Sequence, residues 1–338
     1  MDAGIHGFLT NIWFGMIGLI LMLYVVLDGF DLGVGMITLR SRSEDERGIM
    51  MATLGSIWDG NETWLVLFGG ALFGAFPVVY SSVLHGLYVP IMGIIFGLMF
   101  RAVAFEFRET AHRKLMWNLA FGFGSLLAAL SQGFTLGAII HGMTIRNGEF
   151  VGGVMDWFSP FSLLVAIGVG CGYLLLGATY LIVKTVGPLQ QMAYRVATVA
   201  AWLTVAVGVG VSIWTPLIFD FVKDKWFGDA LYGLMWLPIA AAFSFLMLLR
   251  AIRRRYEVAP FVWSIIIFAV SLIGLAASLY PYIVPPSLNV HMAGSASKTL
   301  IFMLTGIGLL IPIMLAYNGY QYLVFRGKVT QPGYGADH

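Results

Sequence analysis

Apolar segments of 18 residues or more recur along the whole chain, separated by short polar or glycine-rich stretches. A bilayer core about 30 Å thick takes about 20 helical residues at 1.5 Å each, so these segments are long enough to cross one. The pattern predicts nine spans, at residues 8–39, 49–74, 78–104, 115–140, 158–183, 194–215, 229–250, 259–280 and 299–325. The first is long for a single crossing and must tilt, protrude or break near Gly29, Gly33 and Gly35. Nothing is left over for a separate soluble domain. The expected class is therefore an all-α integral membrane protein forming one polytopic domain over residues 1–338.

Composition agrees with the pattern: 59% hydrophobic and 11% charged residues exclude an ordinary soluble domain. No Lys or Arg precedes Arg40, and no small-residue cleavage site follows a short apolar run, so a removed signal peptide is not expected. Of the 19 basic residues, most fall in or beside the loops after odd-numbered spans and in the C-terminal tail: Arg40, Arg42, Arg47, Arg101, Arg108, Arg113, Lys114, Lys184, Arg195, Arg250, Arg253, Arg254, Arg255, Arg326 and Lys328. Only Arg146, Lys223, Lys225 and Lys298 fall on the other side. The positive-inside rule then puts the N-terminus outside and the C-terminus inside. A net charge of +2 carried this way reports orientation rather than nucleic-acid binding.

The single cysteine, Cys171, excludes an internal disulfide and cysteine-ligated clusters, and reads as a small buried hydrophobe. His6, His112, His141, His291 and His338 lie at span ends, in loops or in tails, and His85 stands alone in the outer part of the third span. No two histidines face each other at mid-membrane, so a haem held by a histidine pair is not expected in this chain.

The carboxylates stand out against this background. Asp28 and Asp31, in VVLDGFDLGVGM, are three residues apart on one face of the first helix. Asp59 and Glu62, in SIWDGNETWLVLFGG, repeat the spacing on the second. Counted from the loop between these spans, Asp28, Asp31 and Asp59 lie roughly 12 to 17 Å deep. The loop is short, so the two helices are expected to be antiparallel neighbours whose acids cluster within reach of the cytoplasmic face.

Such residues are costly in a bilayer, about 2.5–3.5 kcal/mol each at its centre, and normally mark an ion or proton path. Two readings stand for them. One is a relay that shares and passes a proton; the other is polar glue between helices through Asn61, tryptophan N–H groups or an arginine. Arg101 either reaches up to counter an aspartate or snorkels to the interface. Glu106 and Arg108 read as interfacial anchors, and Trp58 and Trp64 as donors or packing aromatics beside the acidic turn. Asn118, Ser131 and Gln132 read as interhelical hydrogen-bonding residues.

Taken together, LDGFDLGVGM, WDGNETWLVLFGGALFGAFPVVY and FRAVAFEFR resemble subunit II of the cytochrome bd family of quinol oxidases. That family's pattern runs DGFD-x-G-x-G, WDGN-x-x-W and FR-x-x-x-F-x-x-R. The motifs cover about the first 110 residues; the rest matches in length and hydropathy. The position after WDGN varies in the family, so Glu62 inherits no role from it.

The resemblance implies two four-helix bundles, about 8–140 and 158–280, with a peripheral ninth helix at about 299–325. It implies haem b and haem d in a partner, subunit I, and none in this chain. It also implies reduction of O2 to water by a quinol, generation of a proton-motive force, and residence in the bacterial cytoplasmic (inner) membrane. Asp59, Asp28 and Asp31, with Trp58, Asn61 and Arg101 in support, would then carry cytoplasmic protons toward that partner; Glu62 joins the path on its position beside them and not on the resemblance. A single-helix accessory subunit and a structural quinone are further partners the resemblance allows.

The alternative is a proton-coupled transporter or channel. Inverted repeats would be its usual sign, yet the acidic turns have no counterpart in GVGCGYLLLGATY or WLTVAVGVGVSIW. A purely structural scaffold for a haem subunit is a third reading.

Overall fold

The computed structural model describes residues 2–41, 43–228 and 231–333; Arg42, His338 and the first two positions of the seventh expected span, 229 and 230, lie outside the described residues. The chain opens with α1 (Asp2–Thr38) and α2 (Glu44–Ala52), followed by α3 (Trp58–Ala75), α4 (Pro77–Gly86), α5 (Tyr88–Arg108) and α6 (Lys114–His141). A small antiparallel hairpin, β1 (Ile145–Arg146) with β2 (Glu149–Phe150), leads to α7 (Pro160–Lys184) and α8 (Gly187–Ile218). Then come α9 (Asp220–Phe227), α10 (Leu231–Leu234), α11 (Trp236–Arg253) and α12 (Ala259–Leu279). A second hairpin, β3 (Tyr282–Val284) with β4 (Leu288–Asn289), precedes α13 (Val290–Ala293) and α14 (Ser297–Val324). Among the described residues, eight helices are long and apolar enough to cross a membrane singly, and the bent pair α3–α4 brings the number to as many as nine.

The early spans differ from the expectation. The second does not run unbroken from residue 49: α2 is a separate amphipathic helix, tight turns follow over Thr53–Ile57, and α3 starts only at Trp58. The third begins later than residue 78. Its first part is α4, bent 119° from α3 at Phe76, and the crossing helix is α5. Pro77 accounts for the bend, because a proline bars the preceding residue from the helical region, and Phe76 takes φ −135°, ψ 65°. The long first span does not break at its glycines. At about 55 Å, α1 stays continuous to Thr38 and outruns a bilayer core.

Those glycines serve close approach instead. A Cβ on Gly33 would lie 1.8 Å from the Tyr173 carbonyl oxygen, and one on Gly177 would lie 2.4 Å from the Gly33 carbonyl carbon, so α1 and α7 cross backbone to backbone. α1 also packs against α3 and α6, and its C-terminal part, residues 28–38, is buried throughout. α14 is largely exposed and rests on α3 and α1.

The ends of the bundle differ in chemistry. At one end Lys184 donates to the carbonyls of Phe325 and Gly327, Lys328 pairs with Glu257 at 2.9 Å, and Arg108 pairs with Glu44. At the other, the hairpins and α13 are joined by backbone and hydroxyl bonds, including Met143 N–H to the Pro285 carbonyl at 3.2 Å and Ser82 Oγ to the Gly148 carbonyl at 2.9 Å. We refer to these as the arginine-rich end and the hairpin end.

Candidate functional site

Enclosure of α1 explains why its two aspartates are buried: Asp28 and Asp31 have no solvent-accessible surface in this chain. Charges so placed need partners, and α5 and α3 supply them. Arg101 donates from Nη1 to Asp28 Oδ1 at 2.6 Å and from Nη2 to Glu62 Oε2 at 2.9 Å. Asn61 donates from Nδ2 to Asp31 Oδ2 at 2.9 Å and accepts at Oδ1 from the Tyr322 hydroxyl of α14 at 2.8 Å. Four helices thus meet at three carboxyl groups and one guanidinium. Among the described residues, no donor or acceptor meets hydrogen-bond geometry at Asp28 Oδ2, Asp31 Oδ1 or Arg101 Nε.

Asp59 is not part of this knot. The break after α2 puts it in the first turn of α3, where a carboxylate meets the positive end of the helix dipole, and its side chain faces outward. The expected partner of Asp28 on α3 is Asp59; the residue that shares Arg101 with Asp28 is instead Glu62, one turn further on. Glu62 is only partly enclosed, with 26% of its side chain exposed, so the buried cluster opens through it onto the uncovered face of α3. That face continues through Asp59, Thr63, Val66, Gly70 and Phe73, all exposed at helical spacing.

Toward the arginine-rich end the cluster is closed by aromatic rings. Trp58 packs on Phe105 at 5.5 Å between ring centres, and Phe105 on Phe121 at 5.8 Å. The gap they bound beside Asp31 and Arg101 leaves no room for a water molecule. Beyond it lies a second polar knot, where Glu44 of α2 meets Arg108 and accepts from Asn118 Nδ2 at 2.8 Å, while Arg108 Nε donates to Asn118 Oδ1 at 2.6 Å. Arg108 is thus buried in a network rather than anchored at an interface. Arg101 is likewise a buried ion-pair partner and does not snorkel.

On the side away from this collar, Gln132 joins two tyrosines: its Nε2 donates to the Tyr24 hydroxyl and its Oε1 accepts from the Tyr173 hydroxyl, both at 2.6 Å. Trp64 is a donor as well as a packing residue, through Nε1 to Asn318 Oδ1 at 3.0 Å. Sequence reasoning missed Tyr24 and Tyr322. Tyr24 carried a usable signal, since it precedes Asp28 by one helical turn; Tyr322 lies some 260 residues from its partner and carried none.

The described histidines lie away from the acidic cluster. His85 is exposed in the last turn of α4, and His6 and His291 meet at the hairpin end around Thr10 and Ser297. Among the described residues no three or more His, Cys, Asp or Glu side chains group as a metal site.

Comparison with known proteins places this geometry in a family. The family model described as cytochrome bd terminal oxidase subunit II matches residues 9–325. The chain is 30% identical to cytochrome bd-I ubiquinol oxidase subunit 2 of Escherichia coli (strain K12), with 96% of each covered. It is 28% identical to cytochrome bd ubiquinol oxidase subunit 2 of Bacillus subtilis (strain 168), covering 95% of this chain and 97% of that one. In fold it matches a chain of the bd oxidase from Geobacillus thermodenitrificans with a TM-score of 0.75 at 20% identity, over 91% of this chain and 97% of that one. A buried Asp28–Arg101–Glu62 knot, assembled from the DGFD, WDGN and FR segments, thus sits in a chain that belongs to the cytochrome bd terminal oxidase subunit II family.

Proposed function

We propose that this chain is the haem-free subunit II of a quinol:oxygen oxidoreductase in a bacterial inner membrane, and that its acidic cluster forms part of a proton path toward the haem-bearing partner, subunit I. Family membership supports the first statement. One observation carries the second: a buried set of three carboxyl groups around a single guanidinium, opening through Glu62 onto an uncovered helix face.

The charge arithmetic supports a proton-handling role. With all three carboxyls ionised the cluster would hold two uncompensated negative charges inside a membrane, which is costly. A proton shared among the carboxyls relieves that cost, and Asp28 Oδ2 and Asp31 Oδ1 have free lone pairs to receive it. Arg101 orients Asp28 and Glu62, and Asn61 orients Asp31. Asp59 lies at the mouth, one turn from Glu62, where it can exchange a proton with the partner's side. Trp58 closes the direct way to the arginine-rich end and keeps the route lateral.

In the same reading the arginine-rich end is cytoplasmic and the N-terminus outside. Subunit I covers the α3 face that begins at Asp59. Haem b and haem d, with the quinol and O2 sites, belong to that subunit, a reading supported by the described histidines, which stand at helix ends or in a loop away from the acidic cluster. Haem supplies the electron transfer and oxygen chemistry; this chain holds and moves protons. The two four-helix bundles at 8–140 and 158–280 with a peripheral ninth helix at 299–325 are part of this proposal, supported by the exposure of α14. A single-helix accessory subunit and a structural quinone belong to it too, with no residue assigned to either.

The test is quinol-driven oxygen consumption by the purified complex. Asp28→Asn, Glu62→Gln and Asp59→Asn should each slow turnover, on the order of a hundredfold for a lost proton-transfer group, while the haem spectrum of the complex stays intact. Turnover near that of the unaltered complex in all three would leave the scaffold reading in its place.

A further inference from the structure

The two polar ends of the chain use arginine differently. Near α2 the arginines are occupied, Arg47 by Glu44 at 3.5 Å and Arg108 by Glu44 and Asn118. At the same end of α8 and α11, Arg195, Arg250, Arg253 and Arg254 are all exposed. None has an ion pair or side-chain hydrogen bond among the described residues. The acid nearest in sequence, Glu257, is already held by Lys328 at 2.9 Å and Gln190 at 3.0 Å.

These arginines are aligned with exposed apolar surface. On α11 and its C-cap, Phe243, Leu246, Arg250 and Arg254 follow one another at spacings of three and four, so one face passes from hydrocarbon to charge. On α8, Arg195, Val199 and Trp202 do the same in reverse. The helices run antiparallel and in contact, with Trp202 edge-on to Phe245 at 5.0 Å, which brings Arg195 level with the end of α11. The charged and the apolar halves of both faces therefore lie at matching depths.

The turn that ends α11 is fixed in an unusual way. Arg255 adopts φ +57°, a conformation that favours glycine, and closes a helix stop in which Tyr256 N–H reaches the Ala251 carbonyl at 3.1 Å. Its guanidinium lies over the Tyr194 ring at 4.5 Å, and the Tyr194 hydroxyl bonds the Tyr256 carbonyl at 3.1 Å. α8 and the α11 terminus are thereby locked together, so the arginines are held on a firm base.

We propose that the arginine-rich ends of α8 and α11 form a seat for an anionic phospholipid, its phosphate held by Arg195, Arg250 and Arg254 and its acyl chains laid along Val199, Trp202 and Leu246. The paired apolar faces select a lipid over free phosphate, and the unneutralised guanidiniums select an anionic headgroup over a zwitterionic one. Planar guanidinium forks match phosphate oxygens in pairs. The site lies apart from the acidic cluster of α1, α3 and α5 and does not depend on the proton-path proposal.

The test uses the whole complex purified through this chain, stripped of lipid with detergent and titrated with phosphatidylglycerol, phosphatidylcholine or inorganic phosphate, with bound lipid counted by native mass spectrometry. Phosphatidylglycerol should bind in preference to phosphatidylcholine. Arg250→Gln with Arg254→Gln should weaken it about 25-fold, at roughly fivefold per basic residue near a membrane surface. Arg250→Lys with Arg254→Lys, which keeps the charge and so the membrane orientation, should weaken binding less than the glutamine pair does, because the charge remains while the paired fork is lost. Three results would overturn the proposal: equal binding of the two lipids by the unaltered complex, full binding by the glutamine pair, or displacement of the lipid by millimolar phosphate.

Discussion

Arg101 shows how one side chain can set the character of a membrane site. Its guanidinium is shared between Asp28 and Glu62, both in charge-assisted bonds, and Asp28 has no access to solvent. Removing one partner of a buried pair costs about 3–5 kcal/mol because the other is left uncompensated. Arg101→Gln should therefore lower the thermal stability of the complex or prevent its assembly, whereas Arg101→Gln combined with Asp28→Asn should recover a large part of the loss. A melting series over the two single variants and the double variant measures this. Equal melting temperatures for the Arg101 variant and the unaltered complex would show that the pair contributes little to stability. At this scale the sequence was informative about residue type and depth, since aspartates in an apolar helix are costly wherever they point. It could not assign partners: Asp59 and Glu62 share spacing and chemistry, and only the start of α3 at Trp58 decides that Glu62 faces Arg101.

The element scale is governed by where helices break and where they touch. Pro77 bends the α3–α4 pair by 119° and so ends α3 at Ala75. Gly33 and Gly177 allow α1 and α7 to cross with no side chains between them. In a bilayer such contacts rest on dispersion and close fit, since lipid is as apolar as the helices. A Cβ at Gly33 would collide with the backbone of α7 rather than a movable side chain, so Gly33→Ala should separate the helices and displace Asp28 and Asp31 from Arg101. The expected outcome is loss of assembled complex in membranes, read on a native gel. Gly69→Ala, at a glycine with open space around it, is the control and should assemble normally. The glycines near residue 33 were visible in the sequence, but a glycine-rich stretch in a long apolar run predicts a break as readily as a crossing.

At the scale of the whole molecule, the C-terminal segment ties the arginine-rich end together. After α14 it crosses the ends of α7 and α12, where Lys184 donates to the Phe325 and Gly327 carbonyls and Lys328 reaches both the Thr185 carbonyl and Glu257. α14 in turn holds Tyr322 on Asn61, so the segment helps to seat the helix that brings the far end of the chain to the acidic cluster. Hydrogen bonds from Lys328 and Gln190 hold the Glu257 carboxyl below the usual glutamate range. A lowered folded-state value stabilises above the ordinary glutamate pKa of about 4.3 and is lost as pH falls through the lowered value. Hydrogen exchange over residues 325–333 should therefore rise, beyond its intrinsic pH dependence, as pH is taken from 7 to below 4. Glu257→Gln should show no such extra rise in that interval, and if it matched the unaltered chain the clamp would lie elsewhere.

Taken by itself, the sequence determined the solvent, the helical class, the approximate spans from the fourth onward and the presence of costly acids on the first two spans, because apolar length and the cost of charge in hydrocarbon are properties of local composition. The DGFD, WDGN and FR segments also carried the family. Tertiary structure alone decided that α2 is separate from α3, that Asp59 faces outward while Glu62 joins Arg101, and that Tyr322 bonds the Asn61 that holds Asp31. These outcomes depend on which helix faces meet across tens or hundreds of residues, and the free energy of such a meeting lies in packing and paired hydrogen bonds that no local pattern records.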